Sequence, residues 1–184
     1  MSTTRIRITG PQQAEYMLGQ AMFLYEGQAL LGQLDPVIVM NSGTGVHIEA
    51  FAPTRLVLDE RRHVGRLLFF EICAYITEHF PQIQAVSFAF ARPIGVFGRP
   101  MELAVSRAQA MERIGAVNVQ ITPHRSGKHV VSGIWPYSQA NLAALKVALE
   151  EQRALYVKRP IVAKPDEPTL VGAIRRLVSM RKRE

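Results

Sequence analysis

The hydrophobic and polar positions of this chain follow two kinds of spacing. Alternating or β-branched segments predict strands at residues 5–9, 36–41, 46–52, 83–91, 117–122 and 129–137. Apolar residues spaced three and four apart predict helices over residues 12–31, 61–80, 102–114 and 139–156. Gly19 and Gly27 weaken the first of these, which is either one helix or two helices broken near Gly27.

The order of these elements favours the α/β class. A turn at residues 42–45 joins two strands as a hairpin, and two helices cross over between strands. Such an order predicts a three-layer α/β/α fold around one mixed sheet. Residues 158–168 contain three prolines and no periodicity, and residues 169–181 fit a short amphipathic helix. We therefore expect an α/β domain over residues 1–157 and a C-terminal linker and helical extension over residues 158–184.

Positive charge is concentrated at the carboxyl end. The chain of 184 residues has a net charge of +7, and residues 151–184 hold nine Lys/Arg against four Asp/Glu. A basic tail of this kind suits an anionic partner such as nucleic acid or an acidic protein. A tail that only keeps the protein soluble would look the same, so both interpretations stay open.

Composition excludes several classes of protein. No apolar stretch approaches the roughly 20 residues that a membrane span needs. The amino terminus lacks the apolar core of a signal peptide, and Cys73, the only cysteine, cannot form an internal disulfide. The five histidines show no metal-ligand spacing. We expect a cytoplasmic protein that does not enter a membrane and has no metal site.

Residues 37–137 resemble a known family in the order of their motifs. RRHVGRLLFF opens the long helix predicted at residues 61–80, which leads into the strand AVSFAF. SRAQAMERIGA, VNVQI and KHVVSGI follow. This order is similar to the GNAT superfamily of acyl-CoA-dependent N-acetyltransferases. In that family a strand, a pyrophosphate loop, a long helix and a strand are followed by a second helix and a hairpin.

The GNAT resemblance implies a binding site for acetyl-CoA at the start of the long helix. A helix amino terminus exposes unpaired N–H groups, glycine lets a diphosphate approach closely, and arginines add charge-assisted hydrogen bonds. The residues that would contact the coenzyme A pyrophosphate are Arg61, Arg62, His63, Val64, Gly65 and Arg66. The loop departs from the family pattern Q/R-x-x-G-x-G/A, and Met111 stands at the usual tyrosine position. The chain is thus either an acetyltransferase or a degenerate relative that binds acyl-CoA without turnover.

The same resemblance implies a catalytic base on the strand before the loop. That strand carries His47 and Glu49, which are two residues apart and therefore share a face. Either side chain could take the proton from the ammonium group of a small-molecule or protein substrate. The alternative is an ordinary solvated strand face. Assembly as a homodimer is compatible with these features.

A second loop supports a function of a different class. The string IGVFG places Gly95 and Gly98 in a Gly-x-x-Gly pattern. KH modules use this pattern to clamp a nucleic-acid backbone. Together with the basic tail, it suggests a nucleic-acid- or partner-binding adaptor without catalysis as the alternative function. A simple turn between strand and helix explains the same residues.

Overall fold

The computed structural model describes residues 6–49, 51–54, 64–91, 100–124 and 129–157. The strands in these ranges are β1 (Ile6–Thr9), β2 (Met22–Glu26), β3 (Ala29–Leu34), β4 (Val37–Met40), β5 (Gly45–Ile48), β6 (Phe51–Pro53), β7 (Ala85–Ala91), β8 (Val117–Pro123) and β9 (His129–Pro136). The α-helices are α1 (Val64–His79), α2 (Pro100–Arg113) and α3 (Gln139–Val157). The predicted α/β class is confirmed, and so is the helix at residues 139–156.

The strands form two ladders. One is antiparallel, in the order β1-β2-β3-β6, and the other is mixed, in the order β4-β5-β7-β9-β8. Within the mixed ladder, β5 and β7 run parallel and the remaining neighbours run antiparallel. The predicted mixed sheet is therefore confirmed.

The register shows that these ladders are two parts of one long hairpin. Leu34 lies opposite Phe51 in the first ladder, and Val37 lies opposite Ile48 in the second. Between these pairs each strand advances by three residues, so the register is kept across the break. One arm of the hairpin is β3 with β4, and the other is β5 with β6. The break falls at Pro36, which has no N–H to donate to a ladder.

The helix predicted over residues 12–31 is wrong. A single turn of 3-10 helix at Pro11–Gln13 is followed by the hairpin of β2 and β3. The spacing of Met22 and Leu24 fits a strand as well as a helix, and both side chains are fully buried on one side of β2. Gly27 has a φ of +58° in the two-residue turn, a conformation typical of tight hairpins. The turn at Gly27, and not the helical spacing of the apolar residues, therefore determines that this segment forms a hairpin.

The helices of the described residues pack together on one side of the mixed ladder, so the second helical layer of the expected α/β/α arrangement is not seen in this part of the chain. Phe69 of α1 contacts Phe88 and Phe90 of β7, with ring centroids 5.2 and 5.1 Å apart. On the same face, Trp135 donates a 2.8 Å hydrogen bond from Nε1 to the carbonyl oxygen of Ile114, just after α2. Because α3 packs against α1, every residue from 67 to 73 is buried. Helix α1 is therefore surrounded by the rest of the domain.

Local signals mark several helix ends as predicted. The backbone N–H of Asn141 donates to Ser138 Oγ at 3.1 Å, which caps α3. Helix α1 ends at His79, two residues before Pro81. The linker and helix predicted within residues 158–184 lie outside the described residues. Among the helices that are described, none combines the length and the apolar character needed to cross a membrane.

Candidate functional site

Strands β5 and β7 separate after four paired residues. Their parallel register runs from Gly45 opposite Ala85 to Ile48 opposite Phe88. Beyond this point β6 pairs with β3, whereas β7 continues to Ala91 beside β9. Within the described part of the chain, the β5-facing edge of residues 89–91 therefore has no strand partner. An unpaired strand edge of this kind can bind an extended ligand through its N–H and C=O groups.

The start of α1 belongs to the same end of the sheet. In a strand–helix–strand unit with parallel strands, the amino terminus of the helix lies beside the carboxyl ends of the strands. Gly65 is exposed, and within the described part of the chain a Cβ atom built on it would meet nothing within 4 Å beyond its chain neighbours and its own helix backbone. Gly65 is thus an open position in the first turn of the described part of α1.

The other predicted pyrophosphate contacts differ in their surroundings. The side chain of Val64 is buried in the core. Arg66 is half-buried and donates from Nη2 to Ser106 Oγ of α2 at 2.5 Å, and burial lowers the pKa of its guanidinium group. Arg66 thereby links α1 to α2 beside the opening. Arg61, Arg62 and His63 lie outside the described residues.

His47 lies on β5, one pair before the strands separate. Its Nδ1 is 2.9 Å from Oγ of Ser87, the residue directly opposite on β7. Ser87 Oγ in turn is 3.2 Å from the carbonyl oxygen of Val46. Because Ile48 is fully buried on the helix side of the sheet, His47 points to the opposite face. The candidate base is therefore tied to both of the strands that diverge.

Glu49 occupies the position immediately after β5. Its side chain is exposed, and it lies where the arm of the hairpin breaks between β5 and β6. The two base candidates of the sequence analysis are thus both at the point of divergence. Their environments differ, since His47 is held by a cross-strand hydrogen bond and Glu49 stands at the ladder's end.

The sheet face around His47 carries no charged side chain in the described strands. Ile38 lies opposite His47 on β4, and Ile134 lies opposite Ser87 on β9. Ile134 is paired in turn with the exposed Val117 of β8. The strand residues that surround His47 on this face carry no charge. His47 is therefore the one basic side chain on this face of the described mixed ladder.

Ser87 was not identified as a site residue from the sequence. The signal was present, because Ser87 is the one hydroxyl residue in the otherwise apolar strand AVSFAFA. A lone polar residue in a central strand usually has a hydrogen-bond partner. What could not be derived was that the partner is His47, forty residues earlier, since this depends on the β5–β7 register.

Two further side chains bear on the chemistry. Cys73 is completely buried, and burial raises the pKa of its thiol well above its ordinary value, so it is unsuited to act as a thiolate nucleophile. Met111, which stands at the family's tyrosine position, is buried in the core. The described residues contain no group of three or more potential metal ligands.

No protein-family model matches the sequence, and no curated protein matches it. The structure is similar to that of a candidate acetyltransferase of the GNAT family from Desulfovibrio desulfuricans, with a TM-score of 0.38 and 12% identity. That match covers 64% of this chain and 68% of the other.

An acetyltransferase from Thermus thermophilus gives a TM-score of 0.37 and 13% identity, and the match covers 64% of each chain. The chain thus spans just under two thirds of the length of this second relative. Independently of both likenesses, β5, α1, β7, α2 and the β8–β9 hairpin follow one another in the order that the GNAT resemblance implied. The predicted order of these strands and helices is therefore confirmed over the described residues.

Proposed function

We propose that this protein is an acyl-CoA-dependent N-acyltransferase that transfers an acetyl group from acetyl-CoA to an amine. The observation that carries the proposal is the separation of β5 and β7 beside the start of α1. An opening between two parallel strands gives an extended acyl-pantetheine arm a strand edge to bind. The adjoining helix start supplies N–H groups and a partial positive charge for a diphosphate.

The diphosphate end of the site is supported by Gly65. Its exposed, unobstructed surface would let phosphate oxygens reach backbone N–H groups that a larger side chain would cover. Arg66 stays beside this position because Ser106 and partial burial fix its guanidinium group. A fixed positive charge close to the diphosphate would favour binding without direct contact.

The acyl end of the site is supported by the unpaired edge of β7. An N–H group of residues 89–91 could donate to the thioester carbonyl oxygen and stabilise the negative charge that develops there. The amine nitrogen attacks the carbonyl carbon, the new C–N bond forms, and the C–S bond breaks to release the coenzyme A thiolate. The thiolate takes its proton from solvent, because the buried Met111 has none to give.

The proton of the attacking amine requires a base. His47 and Glu49 both lie at the point of divergence, so either is placed to accept it directly or through a water molecule. Of the remaining proposed pyrophosphate contacts, Arg61 and Arg62 would add positive charge to the same helix start, and His63 would add a hydrogen-bond donor.

The proposal is tested by titrating the protein with acetyl-CoA in a calorimeter. Wild-type protein is expected to bind, and Gly65→Phe to weaken binding at least about tenfold by covering the helix start. Gly65→Ala is the matched control and should keep most of the affinity. Because Gly65 is exposed, neither substitution should lower the melting temperature of the free protein by much. Absence of binding by the wild type at millimolar acetyl-CoA would contradict the proposal.

Turnover is measured separately as release of free coenzyme A thiol with a panel of primary amines. Acetyl-CoA binding together with amine-dependent thiol release supports the enzyme. Binding without release for any amine would identify a relative that retains acyl-CoA binding and has lost catalysis.

A further inference from the structure

We propose that Ser87 is a positioning residue that holds His47 in its Nδ1-protonated form, so that Nε2 is the atom that accepts the substrate proton. The catalytic meaning of this inference rests on the proposed function, whereas the protonation state of His47 does not. The inference selects His47 over Glu49 as the base and gives a role to a residue that the GNAT resemblance did not indicate.

Ser87 Oγ carries a single proton and can donate only one hydrogen bond. That oxygen lies 2.9 Å from His47 Nδ1 and 3.2 Å from the carbonyl oxygen of Val46. A carbonyl oxygen can only accept, so this second contact is a hydrogen bond only when Ser87 donates to it. The serine proton is then used, and His47 Nδ1 must supply the proton of the first contact.

The opposite arrangement leaves one contact unsatisfied. If Ser87 donated to His47 Nδ1, its oxygen would face the Val46 carbonyl oxygen with lone pair against lone pair. The weaker neighbour of Ser87 Oγ is Met40 Sδ at 3.7 Å, which cannot replace the lost donor because a thioether sulfur only accepts. The Nδ1-protonated form satisfies both short contacts and is therefore favoured.

The proton on Nδ1 determines the state of the other ring nitrogen, Nε2. In a neutral imidazole with a proton on Nδ1, Nε2 carries the lone pair and can accept a proton. Among the described residues, His47 has no hydrogen-bond partner other than Ser87. The groups directly opposite it across the sheet are Ile38 from β4 and Ser87 from β7, and the carboxylate of Glu49 follows two residues along the chain.

The same geometry excludes Ser87 as a nucleophile activated by His47. A base must have an unprotonated nitrogen toward the hydroxyl, and here Nδ1 is the donor in that contact. Transient acylation of Ser87 is accordingly not expected. Mass spectrometry showing an acetyl group on Ser87 after reaction with acetyl-CoA would overturn the inference.

The direct test is nitrogen NMR of the histidine side chains in protein labelled with ¹⁵N-histidine. His47→Gln assigns the His47 signals by their loss. In the wild type, Nδ1 is expected to be protonated and Nε2 unprotonated at a pH where the ring is neutral. Ser87→Ala should shift His47 toward the other form, and Ser87→Thr, which keeps the hydroxyl, should retain the wild-type pattern.

Kinetics provides the second readout. Ser87→Ala is expected to lower kcat at least about tenfold with little change in KM for acetyl-CoA, and Ser87→Thr to restore most of the rate. A wild-type His47 protonated on Nε2, or an Nδ1–H that survives Ser87→Ala, would overturn the inference. Failure of the protein to bind acetyl-CoA would overturn the proposed function and the catalytic role of His47, while the NMR result would still decide the protonation state.

Discussion

Gly115 shows how one residue determines the end of a helix. It has a φ of +88°, and its N–H donates to the carbonyl oxygen of Glu112 at 2.9 Å. The next N–H, of Ala116, donates to Met111 at 3.0 Å. This pattern is typical of a glycine that terminates a helix in the left-handed region. A Cβ atom here would also overlap the side chain of Asn141, which packs against the turn.

We therefore expect Gly115→Ala to lower the free energy of unfolding by about 2 kcal/mol, since both the backbone conformation and the space at this position disfavour a side chain. Gly65→Ala is the control, because Gly65 lies in α1 with open space around it and no positive φ. Its expected effect ranges from neutral to a gain of about 1 kcal/mol. Urea unfolding measures both, and equal midpoints for the two variants would contradict this assignment.

Tyr16 is a residue whose burial should appear in the pH dependence of stability. Its ring packs against Tyr75 and Phe80, with ring centroids 6.2 and 5.8 Å apart. Burial raises the pKa of Tyr16 to about 12. An unfolded tyrosine loses its proton near pH 10, whereas the folded protein retains it up to about pH 12. The stabilisation that Tyr16 contributes is thus fully present below about pH 10. It is lost as the pH rises from about 10 to about 12.

Tyr16→Phe is accordingly expected to make the free energy of unfolding fall less steeply between about pH 10 and pH 12 than it does in the wild type. The measurement is urea unfolding at several alkaline pH values for both proteins. Other groups titrate in this window, so the quantity that matters is the difference between the two slopes. Identical slopes would show that Tyr16 is not protected in the folded state.

At the scale of elements, α3 is fixed to α1 by a two-pronged ion pair. Arg153 donates from Nε and Nη2 to the two carboxylate oxygens of Glu71, at 2.8 and 2.7 Å. The Glu71 side chain is only 7% exposed, so its charge depends on this partner. Interaction with Glu71 raises the pKa of Arg153. Helix α3 is therefore part of the domain core and not an appendage.

Arg153→Met should lower the free energy of unfolding by about 2–3 kcal/mol, because it leaves the carboxylate of Glu71 buried without a partner. The matched control is Arg113→Met. Arg113 pairs with Glu151 at 2.7 Å, but its side chain is 61% exposed, and its loss should cost no more than about 0.5 kcal/mol. Chemical denaturation distinguishes the two, and a similar loss in both would rule out a special role for the buried pair.

Prediction from the sequence succeeded where an element carries its own boundary signals. Ser138 before α3 and the turn at residues 42–45 between β4 and β5 are local features, and both predictions hold. It failed over residues 12–31, where apolar spacing was compatible with a helix and with a hairpin. Only pairing with β1 and β3 buries Met22 and Leu24, and those contacts come from outside the segment.

At the scale of the whole molecule, the candidate site arises from long-range register. The sequence located His47 and Glu49, and the order of motifs indicated which helix would begin nearby. It could not show that β5 leaves β7 after Ile48, because this requires knowing that Phe51 pairs with Leu34 of the other ladder. For the same reason the Ser87–His47 contact was inaccessible, although both residues stand out as polar positions in strands.

The central claim is that acetyl-CoA binds where β5 and β7 separate, against the start of α1. Hydrogen–deuterium exchange of the full-length protein with and without acetyl-CoA tests it most directly. The account predicts slower exchange on binding in the segments around residues 64–66 and 89–91, with α3 unchanged. Protection confined to other parts of the chain, or no protection at saturating acetyl-CoA, would contradict it.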